Sequence, residues 1–553
     1  MLAADTALPD TRAEGLPAER AGARAVRWVA ERAYKLGIGA ITAGLAAFLL
    51  LRAIHWPPHE DETLVFFVSR QPLGDLFSTV FEERGGAPLH FLLAHFVSSA
   101  WSSLTGLRLI SVLFAVASVP VMAALVRRLT DARTALVAAA IAAGSWMVVY
   151  HGIYARMYSL FLFTSALSFL LLLRALGRRN TWPWVAWVLA TVACIATQPY
   201  GAFVLVGSGL FVVVRRRWDR APLRPALLAI ASACVLTLPL WLVYRVLADR
   251  FDVGVGGASG SKLGSPVDVL SYLMHVAGDF TVGWAPAVAV ILTVALVGAV
   301  VLARSRPDAV ALAGAVILVP TVAFLLARSG GSVSLESRHL IFTLPFFAML
   351  VAAGILRLAA LARGWAPAAL TIGLVVLLAG EVAWGAHRTP WMYKGEPEVR
   401  EEARERAAAW LAATSRPDDV LFGYEPLFLD ALEQGAPFGS TIVQRADPGL
   451  ALDTLAEAEK RLGRGVWVFD ATDQLDASKQ RFTVSAMSPG PQFETRAFGP
   501  FLIVRSKDPT ETAETFLRDT AIVAYQGKLI GIGDAGLNYQ TAVTALARLQ
   551  GRS

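Results

Sequence analysis

Residues 59–62 read His-Glu-Asp-Glu, three consecutive carboxylates behind a histidine, directly after the apolar stretch IGAITAGLAAFLLLRAI, which is long enough to cross a bilayer. A carboxylate so placed can take a proton, hold a cation or pair with an arginine. Candidate partners gather at the ends of other apolar runs: Arg84, Pro88 and His90; Tyr150, His151, Tyr154, Arg156 and Tyr158; Gln198 and Tyr200; Glu336, Arg338 and His339. A carboxylate facing several arginines at one membrane surface suits a substrate with a phosphate embedded at the interface and a hydroxyl arriving from the aqueous side.

The rest of the chain must position these groups. Of its 553 residues 55% are hydrophobic and 17% charged, with a mean hydropathy of +0.53, which excludes an ordinary soluble domain and implies an integral membrane protein. Cys194 and Cys234 both lie inside apolar runs, so neither a disulfide framework nor a cysteine-ligated metal is expected. The net charge of +7 comes with basic residues concentrated in short loops between apolar segments; that pattern reads as topology, not as nucleic-acid binding. Residues 1–35 are mixed polar and lack a cleavage site, so they read as a cytoplasmic N-terminal segment followed by a retained anchor.

Apolar runs of suitable length occur at 36–54, 88–104, 108–126, 134–150, 157–173, 183–197, 200–214, 225–246, 285–303, 308–327, 339–356 and 366–386. With the arginine-rich N-terminal flank inside, the basic loops near Arg127, Arg174, Arg215, Arg304 and Arg357 all fall inside only if 88–104 does not cross. The charge asymmetry therefore predicts about eleven transmembrane helices, an interfacial or re-entrant helix at 88–104, and the acid cluster outside. Interiors nearly free of ionisable residues weigh against an ion-coupled transporter. Beyond residue 390, strands alternating with helices predict a small extracytoplasmic α/β domain over 391–553 that ends in a helical tail.

Three further patterns carry little. GIGDAG at 531–536 has too little chain after it for a dinucleotide-binding unit and reads as a turn or helix cap. GVGGASG at 254–260 lacks the preceding strand and the lysine of a phosphate loop, and reads as a flexible loop. His55 and His59 have helical metal spacing, but Pro57 and Pro58 break the helix that would align them.

The ordered set of motifs resembles the GT-C superfamily of membrane glycosyltransferases, in the branch of the family 39 protein mannosyltransferases and aminoarabinose transferases. Asp61 and Glu62 match the family's Asp-Glu pair in the first outer loop; GGAPLHFLL, with Pro88 and Leu89, matches its PPL element; Arg127 to Leu129 match its RRL loop. YARMYSL (154–160) matches EARMYSL, TQPYGAF (197–203) matches a THYFG-like break, and RHLIFTLP (338–345) matches RYLLPLLP. In four places the chain departs: Tyr154 stands for the glutamate of EAR, Gln198 for the histidine of THY, His339 for the tyrosine of RY and Ala87 for the first proline of PPL.

The resemblance implies a GT-C-like transmembrane catalytic domain over 36–390 in the plasma (inner) membrane, with the active site extracytoplasmic. It also implies a polyprenyl-phosphate-linked sugar donor, a protein, lipid or glycan acceptor, and inversion at the anomeric carbon. Asp61 is then the general base, with Glu62 in support and Glu60 in solvent. Arg338, Arg156, Arg84, His339 and His151 serve the donor phosphate, and Tyr158, Gln198 and Tyr200 the substrate. No cofactor and no metal ligand is assigned. A divalent cation stays open, although loss of the EAR glutamate favours protein cations over a bridging metal. The rival readings are a flippase or transporter of lipid-linked substrates, which differs from a transferase in what Asp61 does, and a catalytically inactive GT-C relative, which would neither bind nor turn over lipid-phosphate sugars.

Overall fold

The computed structural model describes residues 17–177, 180–218, 223–252, 265–329, 336–389, 392, 398–423, 425–438, 442–443, 463–470, 490–509, 512–530 and 535–551. Residues 451–462 of the expected α/β domain, the glycine-rich stretch at 254–260 and the first four residues of GIGDAG lie outside them.

The first helix, α1 (Pro17–His55), begins within the expected N-terminal segment, and its apolar span starts at Trp28. Pro57 and Pro58 end it, and the chain turns into α2 (Glu60–Ser69) and α3 (Leu73–Ser78), a π-helical turn at Thr79–Arg84, and α4 (Pro88–Ala100). At 13 residues α4 is about 20 Å long, too short to cross roughly 30 Å of hydrocarbon.

The bundle follows: α5 (Leu104–Leu129), α6 (Ala132–Gly144), α7 (Trp146–Ile153), α8 (Tyr158–Leu176), α9 (Trp182–Thr197), α10 (Gly201–Arg215) and α11 (Arg224–Asp252). After α12 (Pro266–Phe280) come α13 (Ala285–Ser305), α14 (Pro307–Ser329), a 3₁₀ turn at Ser337–Thr343 leading into α15 (Leu344–Leu361), and α16 (Ala366–Arg388). Among the described residues eight helical spans are long and apolar enough to cross a membrane, and α6 with α7 makes a ninth. The last two expected crossings are α9 and α10, apolar helices of 16 and 15 residues that fall short of a full span. Pro199 between them accounts for the interruption.

The span expected at 134–150 is bent by 54° between α6 and α7. The bend leaves the Trp146 N–H outside the helical ladder, and the buried Glu381 carboxylate of α16 accepts it at 3.0 Å. Elsewhere α13 and α15 meet backbone to backbone at Gly298 and Gly354, where any side chain would collide with the facing carbonyl. One apolar cluster, from Leu49 and Val65 through Phe161 and Phe342, runs through the bundle.

Beyond α16, α17 (Glu398–Thr414) and α18 (Leu427–Glu433) alternate with β1 (Val420–Phe422), β2 (Ile442–Val443) and β3 (Gly465–Asp470), before the hairpin of β4 (Phe493–Phe498) and β5 (Phe501–Ser506). The sheet order is β2-β1-β3-β5-β4, parallel across β2-β1-β3 and antiparallel across β3-β5-β4. The tail forms α19 (Ala513–Ile530) and α20 (Ala535–Gly551), with Phe516 and Leu517 packed on one face of the sheet. The other face carries α17 and α18, and Phe67 of α2 packs against that cluster. The domain thus rests on the helix that carries the acids.

Candidate active site

The acid cluster is the first turn of α2, and its folding is local. His59 caps the helix: its Nδ1 accepts the Asp61 N–H at 3.2 Å, and its own N–H donates to Glu62 Oε2 at 3.2 Å. Three acids in a first turn complement the helix dipole. Once the helix forms, the carboxylates separate by direction.

Glu62 points inward and is fully buried. Arg108 of α5 grips it from both sides, Nε to Oε1 at 2.9 Å and Nη2 to Oε2 at 2.7 Å, and Oε1 also takes the Ala155 N–H at 2.9 Å. The remaining Arg108 donors go to the carbonyls of Ala53, Trp56 and Pro57 at 3.0, 2.6 and 3.0 Å. This knot ties the end of α1, the start of α2 and the 154–157 segment to α5. Expected in support of the base, Glu62 sits behind Asp61 with its oxygens occupied by Arg108 and backbone N–H groups.

Asp61 points the other way, its side chain 34% exposed. Its Oδ2 accepts the Tyr154 hydroxyl at 2.8 Å and lies 3.7 Å from Arg156 Nε. The Tyr154 oxygen is also 2.9 Å from His59 Nδ1. Tyr154 and Arg156 flank the break between α7 and α8, which Ser111 of α5 pins by donating to both of their carbonyls, at 2.6 and 3.2 Å. Desolvation pushes the Asp61 pKa up, but Arg156, then His59 and Arg338, and the Tyr154 hydrogen bond outweigh it and hold the carboxyl well below its usual range. Tyr154 is pushed the other way, first by its burial and then by Asp61, and stays a neutral donor.

Around this carboxylate the basic groups have unused donors. Arg156 Nε and Arg338 Nε are both buried without a hydrogen-bond partner, as is Nδ1 of His151. Arg338 spends Nη2 on Glu336 at 2.9 Å and lies over the Tyr158 ring at 5.6 Å. Rings connect the rest: His151 to Tyr158 at 4.7 Å, Tyr158 to His339 at 6.3 Å, His339 to Tyr200 at 4.7 Å. His90, at the start of α4, is buried beside Arg156; burial and then that guanidinium lower its pKa to about 3, so it stands neutral.

Of the residues singled out in the sequence, Asp61, Arg156, Arg338, His339, His151, Tyr158 and Tyr200 come together. Gln198 is buried at the end of α9, and the Arg84 side chain lies outside the described residues. Glu60 is half-buried in the first turn of α2. Among the described residues no group of three or more His, Cys, Asp or Glu is disposed around a metal position. Two contributors were not singled out as site residues: Arg108, which lies near the start of an apolar run, and His59, read as half of a broken metal pair. Tyr154 was named among the groups at segment ends, but only as a replacement of the family's glutamate.

Comparison with known proteins extends these observations. Residues 88–253 match the family model described as dolichyl-phosphate-mannose-protein mannosyltransferase. The structure is similar to that of ArnT from Cupriavidus metallidurans in the apo state, with a TM-score of 0.56 at 15% identity over 85% of this chain and 98% of that one. It is also similar to the same protein bound to undecaprenyl phosphate, with a TM-score of 0.53 at 14% identity over 86% of this chain and 98% of that one. No curated protein matches the sequence significantly.

Proposed function

From a chain that belongs with the GT-C membrane glycosyltransferases in its fold and in the sequence of residues 88–253, we propose a transferase that moves a sugar from a polyprenyl-phosphate-linked donor to an acceptor hydroxyl, with Asp61 as general base. The reading places the site and the α/β domain on the extracytoplasmic side. One observation carries it: a partly exposed carboxylate, fixed at Oδ2 by Tyr154, stands 3.7 Å from Arg156 Nε, and that donor and Arg338 Nε are buried without a hydrogen-bond partner. Buried donors without acceptors are costly, so an anion belongs there. A lipid phosphate fits, and undecaprenyl phosphate is what the similar ArnT binds.

The geometry gives each group a task. The donor phosphate lies on Arg156 and Arg338, with His151 and His339 beside it, and the two guanidinium groups stabilise the charge that grows as the glycosidic bond breaks. A phosphate needs no proton to leave. The acceptor hydroxyl is a weak nucleophile, and Asp61 takes its proton as oxygen attacks the anomeric carbon from the side opposite the phosphate; one such displacement inverts the configuration. Tyr154 holds Oδ2, which leaves Oδ1 as the basic atom.

Donor binding also tunes the base. Arg156 and Arg338 hold the Asp61 pKa down in the empty site. A phosphate neutralises them, the carboxylate becomes more basic, and proton abstraction is favoured only when the donor is in place. Asp61→Asn is the test. With a panel of polyprenyl-phosphate sugars, release of polyprenyl phosphate into an acceptor-dependent product is expected to fall at least 10²–10⁴-fold, the usual range for a lost general base, while membrane insertion and thermal midpoint stay unchanged. Transfer at the wild-type rate would refute the assignment.

A further inference from the structure

A second basic group stands at the other end of the bundle. Both α5 and α8 start at the site, with Ser111 and Tyr158, and reach Arg127, Arg128 and Arg174 sixteen residues later, about 24 Å away. There, between α1, α5 and α8, lies a cavity of about 460 Å³ lined by Lys35, Arg127, Arg128 and Arg174, together with Tyr34, Ile38, Pro120, Ala124 and Leu170. Its size is within the roughly 300–1,000 Å³ of small-molecule sites.

Charge and shape argue together. Glu31 takes a two-pronged pair from Arg127, with the longer bond at 3.1 Å, and lies 3.8 Å from Lys35. Among the described residues, Glu31 is the acid paired with this group, and Lys35, Arg127 and Arg174 together carry two positive charges more than it offsets. Arg127 is held in place over the Tyr34 ring at 4.6 Å, while Lys35 and Arg174 are exposed. Basic residues in the last turns of α5 and α8 complement the helix dipoles, and that alone would require neither a cavity nor an apolar wall. Lys35 belongs to no helix end, and the wall is there: Pro120, Ala124, Ile38 and Leu170 lie one to two turns from the charged rim toward the bundle middle. A soluble phosphate would use only the rim. A phosphate head group with the start of its acyl chains uses both halves.

We propose that this cavity binds one anionic phospholipid, its phosphate on Lys35 and Arg174 and its glycerol and upper acyl chain along Ile38, Pro120 and Leu170. The site is separate from the catalytic end and does not depend on the transferase reading. It would tether α1 to α5 and α8 at the face opposite Asp61.

The test uses the full chain, delipidated in detergent and titrated with dioleoyl-phosphatidylglycerol or dioleoyl-phosphatidylcholine under native mass spectrometry. One phosphatidylglycerol per chain is expected, retained at least roughly tenfold more strongly than phosphatidylcholine. The double variant Lys35→Gln/Arg174→Gln, at two exposed positions, is expected to weaken it roughly thirtyfold at an unchanged thermal midpoint. Leu170→Trp fills the apolar half without touching a charge and is expected to remove the bound lipid too. Equal retention of the two lipids, equal retention by wild type and the charge variant, or displacement by excess inorganic phosphate alone would overturn the proposal.

Discussion

Asp61 and Glu62 are adjacent, both acids, both beside an arginine, yet they do opposite work. Glu62 is sealed: Arg108 and two backbone N–H groups fill its oxygens, and neither partner exceeds 3% side-chain exposure. Asp61 is 34% exposed, and the Arg156 Nε that faces it stands off at 3.7 Å, buried and without a hydrogen-bond partner. A saturated ion pair is architecture, since nothing remains for a ligand to gain. An unsaturated one invites a substrate to complete it, and the saturated pair behind holds it in register through the Ala155 N–H and the shared turn of α2.

The comparison can be broken by swapping which acid is lost. The largest effect is expected on activity from Asp61→Asn, the loss described above, with stability near wild type. Arg108→Ala should do the reverse. It strands the buried Glu62 carboxylate, and removing one partner of such a pair costs about 3–5 kcal/mol. A thermal-unfolding series should show that loss, and Arg108→Met with Glu62→Leu should recover part of it. If Arg108→Ala folds as well as wild type, the knot is not what holds the site.

These differences were only partly legible in the sequence. Asp61, Arg156 and Arg338 could be read because charge at the ends of apolar runs stands out against a bundle of low polarity. Arg108 could not. Its partner lies 46 residues earlier, and no spacing rule joins a helix N-terminus to the inside of another span. The α6–α7 bend was hidden because Ser145 and Trp146 break no apolar pattern, and the Glu381 that satisfies the bend is 235 residues away. Tyr154 was visible as a departure from the family's glutamate, but its role is geometric: a phenol reaches the same carboxylate as a donor, where a second acid would have repelled it. The sheet was read from its apolar strands, whereas β4, Phe493–Phe498, went unread because polar residues alternate along it.

Asp279 offers a third acid to sort. It is buried at 2% side-chain exposure, accepts the Ser337 hydroxyl next to Arg338, and lies 3.6 Å from Arg388 Nε at the end of α16. Its contacts are of the same kind as those of Asp61, one hydroxyl and one arginine beyond hydrogen-bond distance, and it is its burial that places it with Glu62. Asp279→Ala is expected to cost about 1–3 kcal/mol in unfolding free energy, because it leaves the Ser337 hydroxyl and Arg388 short of an acceptor. A donor affinity lowered no more than a few-fold is expected beside it. If transfer fell as far as in Asp61→Asn with stability untouched, the rule that sealed-off acids are structural would fail here.

The smallest expected effect is the sharpest probe of the open pair. Tyr154→Phe removes one hydrogen bond from Asp61 Oδ2 and leaves Arg156 in place. Because Asp61 must be ionised to act, and because its folded pKa lies below the ordinary value of about 3.9, kcat/KM should not fall with acid until the pH drops below that value. Losing the phenol raises the Asp61 pKa, so the acid limb should move to higher pH, with a rate loss of roughly tenfold or less near neutrality. The kcat profile reports the donor complex, where phosphate already quiets Arg156 and Arg338, so its acid limb should lie higher than that of kcat/KM in both proteins. Coincident limbs for kcat and kcat/KM would mean that donor phosphate does not neutralise the arginines around Asp61, and the tuning of the base by its own substrate would be wrong.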